Sequence, residues 1–216
     1  MVNYLPNTSI YLKQRRDMFR MNTDTALLGN FMKVNEGESV LDIGTNNGAL
    51  LLYAAQHSPA LLCGIDIHQE AIELAQENLT DNQITQSELY ACPLQEFHHA
   101  QFDVIVCNPP YFRYNKGHQT NENEFLKHAR HEEFLTLSEL CENTARLLKD
   151  NGRFYLVHRP QRISDILCEL AKNQLGVREI TPVYDEDKDL AVTILVEAIK
   201  GFQAEVRFNP PITIKR

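Results

Sequence analysis

Three short stretches of this chain carry residues whose types and spacing could do chemistry. The first is Asp42-Ile43-Gly44-Thr45-Asn46-Asn47-Gly48, a carboxylate followed by a glycine-bearing loop. Glycines in such a loop permit positive φ and let a ligand approach the backbone closely. A carboxylate at Asp42 would repel a phosphate, so the loop suits a ligand bearing hydroxyls and positive charge. An ordinary strand-to-helix turn with a surface Asp is the competing explanation, and the loop alone separates the two poorly. The second is Asp66, 24 residues further on, placed to accept the hydroxyls of a ribose as in dinucleotide sites. Its plainer role would be to cap the helix that follows.

The third stretch, Asn108-Pro109-Pro110-Tyr111, is the most informative. Consecutive prolines have fixed φ and no amide hydrogen, so the turn is stiff and the Pro109 carbonyl can accept a bond. The Asn108 side chain offers a second carbonyl beside it. Two rigidly held acceptors suit a planar NH₂ group with two hydrogens to donate, and Tyr111 supplies a flat face for a base or amide. A proline-rich surface turn would look similar, but such an aromatic-ended tetrapeptide arises by chance in a chain of this length with a probability on the order of 1%. The chain holds its own control in Asn209-Pro210-Pro211, which ends in Ile212 and trails no crossover strand. It is read as a structural turn only.

The elements that must position these residues follow from the apolar pattern. Short strand-like runs at 39–43, 61–66, 88–91, 102–107 and 153–157 alternate with helical spacing at 49–57, 68–78, 134–148 and 163–173. That alternation predicts crossover units and a mainly parallel α/β sheet of seven strands. Two late runs, near 177–183 and 190–197, have no long helix between them and are expected to close the sheet as an antiparallel hairpin. A small N-terminal element comes first, its helix capped by Thr23 or Asp24. In a doubly wound sheet ligands bind beyond the carboxyl ends of the strands, which is where Asp42, Asp66 and Asn108 fall.

Composition narrows the function classes. The 216 residues are 43% hydrophobic and 23% charged, which excludes a disordered or collagen-like chain. No apolar run approaches the roughly 18 residues of a membrane span, and the N-terminus lacks a charged-then-apolar signal layout, so a cytoplasmic protein is expected. Five cysteines without a Cys-x-x-Cys pair argue against a disulfide framework and a zinc ribbon; no metal is expected. The net charge of −8 counts against nucleic acid when taken alone, but it is unevenly spread. Residues 34–112 hold eleven acids and no lysine or arginine, whereas residues 1–33 hold five bases against two acids and residues 113–178 eleven against nine. Two basic flanks therefore surround an acidic middle, and an RNA backbone could be met by Arg15 and Arg16 on one side, by Lys116 and Arg130 after the motif, and by His158 and Arg159 after the fifth strand.

Together the three strand ends resemble the class I S-adenosylmethionine-dependent methyltransferases with an Asn-Pro-Pro-Tyr motif, a Rossmann-like fold. A more detailed similarity is to the bacterial family that methylates N6 of adenine 37, beside the anticodon of a valine tRNA. The matching segments are Phe19 to Gly29, Asn108 to Phe112, Ala129 to Glu132, His158 to Pro160 and Val196 to Lys200. The resemblance implies S-adenosyl-L-methionine as cofactor, held by Thr23, Asp24, Asp42, Gly44, Asn46, Gly48, Asp66, Ile67, Cys92 and Asn108. It implies catalysis at Asn108, Pro109, Pro110 and Tyr111, with Phe112 lining the pocket wall. It also implies one methyltransferase domain over 1–216, divided into an N-terminal element (1–35), a cofactor-binding half (36–112) and a substrate-facing half (113–216), with a monomer as the expected state. Two positions depart from the family. Asn46 stands where glycine is usual, and Asn tolerates the left-handed region better than other non-glycine residues. The third strand ends at Ala91-Cys92-Pro93 instead of in Asp, so either the cofactor is held more weakly or a backbone carbonyl serves it there. A glutamine-amide methyltransferase acting on protein presents the same planar NH₂ chemistry; the basic flank after Asn108 and the lack of an N-terminal helical domain favour RNA. A cofactor-binding module without activity is the third alternative, against which the complete Asn108 to Tyr111 set argues.

Overall fold

The computed structural model describes residues 2–6, 8–109, 135–202 and 205–215. In chain order the elements are β1 (Val2–Tyr4), β2 (Tyr11–Lys13), α1 (Thr23–Phe31), β3 (Ser39–Ile43), α2 (Ala49–Ala55), β4 (Leu61–Asp66), α3 (Gln69–Asp81), β5 (Ser87–Ala91) and β6 (Phe102–Cys107). They continue with α4 (Leu137–Leu147), β7 (Leu148–His158), α5 (Ile163–Lys172), β8 (Leu175–Asp185), β9 (Ala191–Lys200), β10 (Arg207–Phe208) and β11 (Ile212–Ile214).

Because strand side chains alternate between faces, each central strand feeds two separate interiors. On β6, Ile105 and Cys107 join one apolar cluster while Val104 and Val106 join the other; on β7, Phe154 and Leu156 oppose Tyr155 and Val157. The first cluster packs under α4 and α5 through Leu140, Cys141, Ile166 and Leu170. The second packs under α1 and α2 through Leu28 and Leu51, with Leu79 of α3. The resulting sheet runs β5-β4-β3-β6-β7-β9-β8, with β9 antiparallel to both neighbours. The expected seven strands and late hairpin are therefore present. Two short strands, β10 and β11, add to the outer edge of β8 and bring the sheet to nine.

Several local expectations are corrected. The N-cap of α1 is Asn22, whose Oδ1 accepts from the Thr25 amide; Thr23 and Asp24 already lie in the first turn. Helix α4 starts at a capping box, Thr136 with Glu139, and stops at Leu147. Leu148 was expected to continue its inner stripe, but it is extended and opens β7 opposite Phe102. The N-terminal element also contains the hairpin β1–β2, which docks on α3. Asn82 accepts from the Tyr11 amide at 3.2 Å and donates to its carbonyl at 2.8 Å, and Asn78 does the same for Lys13 at 2.7 and 3.1 Å. Two asparagines four residues apart on one helix face thus stand in for a neighbouring strand.

Candidate active site

Parallel pairing places the strand ends side by side. Ile43 lies opposite both Ile65 and Cys107, Asp66 opposite Ala91, and Cys107 opposite Leu156. Neighbouring strands are about 5 Å apart, so Gly44 and Asn108, each next after a paired residue, are neighbours on one edge. Asp66, Ile67 and Cys92 continue along that edge, and Cys92 donates its amide to the Asp66 carbonyl at 2.9 Å.

The loop after β3 is held from below and from the side. The Gly44 and Thr45 amides both donate to the Ile65 carbonyl at 2.9 Å. Gly44 and Gly48 have φ of 73° and 77°, and Asn46 sits in the same left-handed region at 48°. A Cβ on Gly48 would come within 3.3 Å of the Ala75 side chain, so glycine is required there by both conformation and packing. Around Gly44 nothing among the described residues lies within 4 Å of where a Cβ would stand, which leaves backbone open to a ligand. Asn46 donates its side-chain amide to the Phe19 carbonyl at 2.7 Å, tying the segment before α1 to this loop. Asn78 donates to the Asn47 carbonyl at 2.9 Å from the other side.

The two acids of the site are in opposite states. Asp42 is 1% exposed, and among the described residues neither carboxylate oxygen completes a hydrogen bond. Burial pushes its pKa up to about 7, the nearby Thr45 hydroxyl opposing and the Asp66 charge adding to the rise. Asp66 is half-buried and well served. It accepts from the Asn46 amide at 3.0 Å through Oδ2 and from the His68 amide at 3.0 Å through Oδ1. Helix α3 takes His68 as its N-cap, so Asp66 fastens the loop to the strand end and keeps lone pairs on both oxygens for hydroxyls.

Asn108 follows β6, and its side-chain amide donates to Thr25 Oγ1 at 2.9 Å. Thr25 in turn donates its hydroxyl to Asn22 Oδ1 at 3.0 Å. Helix α1 therefore begins against the site, with Thr23 exposed and Asp24 buried in its first turn. Pro109 is described and half-buried. Pro110, Tyr111, Phe112, Lys116 and Arg130 lie outside the described residues.

The basic flanks divide. Lys13 is engaged by Glu77 and Asp81 at 2.6 Å each, and Arg15 by Asp17 at 2.6 Å, so their charge is largely matched within the protein. Arg16 and Arg20 are exposed, and neither forms an ion pair among the described residues. The positive charge expected of His158 is not there: it is 7% exposed, and burial with the Arg162 charge lowers its pKa to about 4, so it is neutral at pH 7. Its Nδ1 accepts from the Arg159 amide at 2.8 Å. Arg159 is half-buried and donates to the Val192 carbonyl at 3.1 Å. Among the described residues no cluster of His, Cys, Asp or Glu could hold a metal, and no helix is long and apolar enough to cross a membrane.

Two site residues escaped the sequence reading, Thr25 and Asn78. Asn78 left a signal, since it falls on the inner stripe of α3 between Ala75 and Leu79 and is fully buried. Thr25 left none, because a hydroxyl in the first turn of a helix is common.

This sheet order, with its one reversed strand and its acid-and-glycine edge, defines an S-adenosylmethionine-dependent methyltransferase. The exposed backbone at Gly44, the buried carboxylate of Asp42 and the strand-end Asp66 are features that fit that cofactor. More particularly, the chain belongs to the methyltransferase small domain family, whose model matches residues 17–179. It is 32% identical over 173 residues to a tRNA1(Val) (adenine(37)-N6)-methyltransferase of Shewanella woodyi, covering 76% of this chain and 70% of the relative. A protein of the same name from Parabacteroides distasonis is 31% identical, covering 77% and 72%. Among solved structures, a predicted O-methyltransferase of Agrobacterium tumefaciens has a TM-score of 0.65 at 22% identity, covering 88% of this chain and 87% of that one. A ribosomal protein methylase of Lactobacillus delbrueckii has a TM-score of 0.59 at 20% identity, covering 82% and 77%. At these identities the structures speak to the fold.

Proposed function

We propose that the protein methylates the exocyclic N6 of an adenine in tRNA, with adenine 37 of a valine tRNA as the substrate that the relatives' names supply. The observation that carries this reading is the Asn108 side chain, held by Thr25 at the end of β6 and directly beside the Gly44 to Gly48 loop. Bound S-adenosylmethionine supplies a methyl group made electrophilic by its sulfonium. Asp42, Gly44, Asp66 and Cys92 are the residues of this edge that would hold it.

An exocyclic amine is a poor nucleophile because its lone pair is delocalised into the ring. Accepting its two hydrogens at Asn108 Oδ1 and the Pro109 carbonyl favours a pyramidal nitrogen, whose lone pair is then available. A carbon–nitrogen bond forms as the carbon–sulfur bond breaks, and the surplus proton leaves the nitrogen for water. The residues need only align the reacting atoms and exclude solvent. The target base must leave its stack to reach a strand-end site, which is easiest in an anticodon loop. Among the described residues, Arg16 and Arg20, exposed beside the loop that Phe19 joins, are positive charges well placed for phosphates.

The test uses two transcripts of a valine tRNA, one with adenine and one with guanine at position 37, incubated with protein and S-adenosylmethionine and digested to nucleosides. N6-methyladenosine from the first transcript alone is the expected result by mass spectrometry. Methyl transfer to a glutamine-containing peptide in place of either RNA would overturn the reading.

A further inference from the structure

We propose that Thr25 is a positioning residue that fixes which end of the Asn108 amide faces the acceptor amine, an inference that rests on the reading above. An asparagine amide can be turned end for end at little cost, since its oxygen and NH₂ occupy nearly the same space. Only one orientation works here. With Oδ1 toward the substrate the site accepts an amine hydrogen, whereas with NH₂ toward it two donors collide.

The structure contains a relay that removes the choice, and it starts from a group that cannot be reversed. The Thr25 backbone amide at the start of α1 can only donate, and it donates to Asn22 at 2.9 Å, so Asn22 must present Oδ1. That oxygen also takes the Thr25 hydroxyl proton at 3.0 Å. A threonine hydroxyl has one proton, so with it committed Thr25 Oγ1 meets Asn108 with lone pairs alone. It therefore receives Nδ2, at 2.9 Å, and rejects Oδ1. The direction of a backbone N–H is transmitted through two side chains to the other side of the site, across 83 residues of sequence. The amide carbonyl of Asn108 then points away from Thr25 by the geometry of the planar amide.

The decisive comparison is Thr25→Val, which keeps shape and β-branching while removing the hydroxyl, against Thr25→Ser, which keeps the hydroxyl. Steady-state methylation of the adenine-37 transcript should show kcat down by about 10- to 100-fold in Thr25→Val with S-adenosylmethionine affinity within about twofold, and recovery to within about threefold in Thr25→Ser. A substrate-independent readout is the side-chain ¹⁵N–¹H pair of Asn108, identified by its disappearance in Asn108→Asp. That pair should shift and exchange faster with solvent in Thr25→Val and stay in place in Thr25→Ser. The proposal is overturned if Thr25→Val keeps kcat within twofold, if serine does no better than valine, or if the Asn108 resonances ignore the valine. Should the wild type methylate no adenine, the functional reading fails, and the resonance comparison still decides the role of Thr25. If Thr25→Val does not fold, Asn22→Gly, a substitution that a helix start tolerates, interrupts the same relay and should move the same resonances; unchanged resonances there overturn the proposal.

Discussion

The tripeptide Asn-Pro-Pro occurs twice, and its two settings differ in every respect that matters for chemistry. Asn209 lies along the outer edge of β8, where its backbone amide donates to the Ile180 carbonyl at 2.9 Å. Its side-chain amide donates to Thr181 at 2.9 Å and to Glu179 at 3.3 Å, so it fastens the turn between β10 and β11 onto the sheet. Asn108 instead follows a central strand at the edge where ligands bind, and its amide is held by a residue of α1. One sequence motif thus serves as a clasp in one place and is proposed as an oriented acceptor in the other.

The buried acids around the two asparagines repeat the contrast. Beside Asn209, Glu197 is fully buried, yet it accepts from the Tyr155 hydroxyl at 3.0 Å and has Lys33 at 3.6 Å. Glu179 is pushed up by burial, but the Asn209 amide and Lys33 more than reverse this and leave its pKa below the usual range. Beside Asn108, Asp42 is equally buried and, among the described residues, has only the Thr45 hydroxyl nearby. A buried carboxylate normally requires hydrogen bonds or a counter-charge. The better-partnered acids are read as structural, and Asp42 is proposed as the one that meets the cofactor.

Four experiments would break or sharpen this contrast. The largest effect is expected from Asn108→Ala, which should lower kcat about 100- to 1,000-fold through loss of an oriented hydrogen-bonding group. Asn209→Ala should leave kcat alone and cost about 1–2 kcal/mol of stability in urea unfolding. Equal losses of activity from the two would erase the distinction.

Next in size, Glu197→Ala should destabilise by roughly 2–4 kcal/mol, chiefly because the buried Tyr155 hydroxyl loses its acceptor. Asp42→Asn should do the reverse at alkaline pH. The Asp42 pKa rises from 3.8 in the unfolded chain to about 7 in the fold, so between those values the native state holds a proton that the unfolded state has released. Its contribution to stability is therefore complete below about pH 4 and is lost as the pH climbs to 7. Urea unfolding at pH 5 and pH 8 should show Asp42→Asn gaining on the wild type with pH, while calorimetry shows weaker S-adenosylmethionine binding. A variant that is destabilised at both pH values would place Asp42 with the structural acids.

Asp66→Ala should weaken the cofactor by about 1–3 kcal/mol, measured by titration calorimetry, since it removes the proposed ribose contacts and the tie to the Asn46 amide. Unchanged affinity in a folded variant would leave Asp66 with its role in fastening the loop alone. The smallest effect belongs to Asn46→Gly. Relief of the left-handed conformation should roughly offset the lost bond to Phe19, giving a net change within about 1 kcal/mol in thermal unfolding. A larger loss would show that the tie to Phe19 shapes the site.

The candidate site was legible in proportion to how local its causes are. Asp42, Asp66 and Asn108 could be placed on one edge because apolar runs mark the strands, helices between them force parallel pairing, and parallel strands end together. Helix α4 stops before its expected end and β7 starts at Leu148 instead of the expected 153, since an apolar Leu148 satisfies a helix stripe and a strand interior equally well. The hairpin β1–β2 was not anticipated because three-residue strands are too short to show alternation, and what holds them is Asn78 and Asn82, 65 and 71 residues away.

By itself the sequence determined the sheet, the loop with its tolerated Asn46, and the chemistry available at three strand ends, because periodicity and backbone preference act between near neighbours. Only the tertiary structure decided which charges and polar groups remain usable. It matched Lys13 and Arg15 with acids, buried His158 and kept it neutral, enclosed the Asp42 carboxylate, and set the Asn108 amide against Thr25. Burial and hydrogen-bond partners are set by residues far apart in the chain, and no local pattern records them.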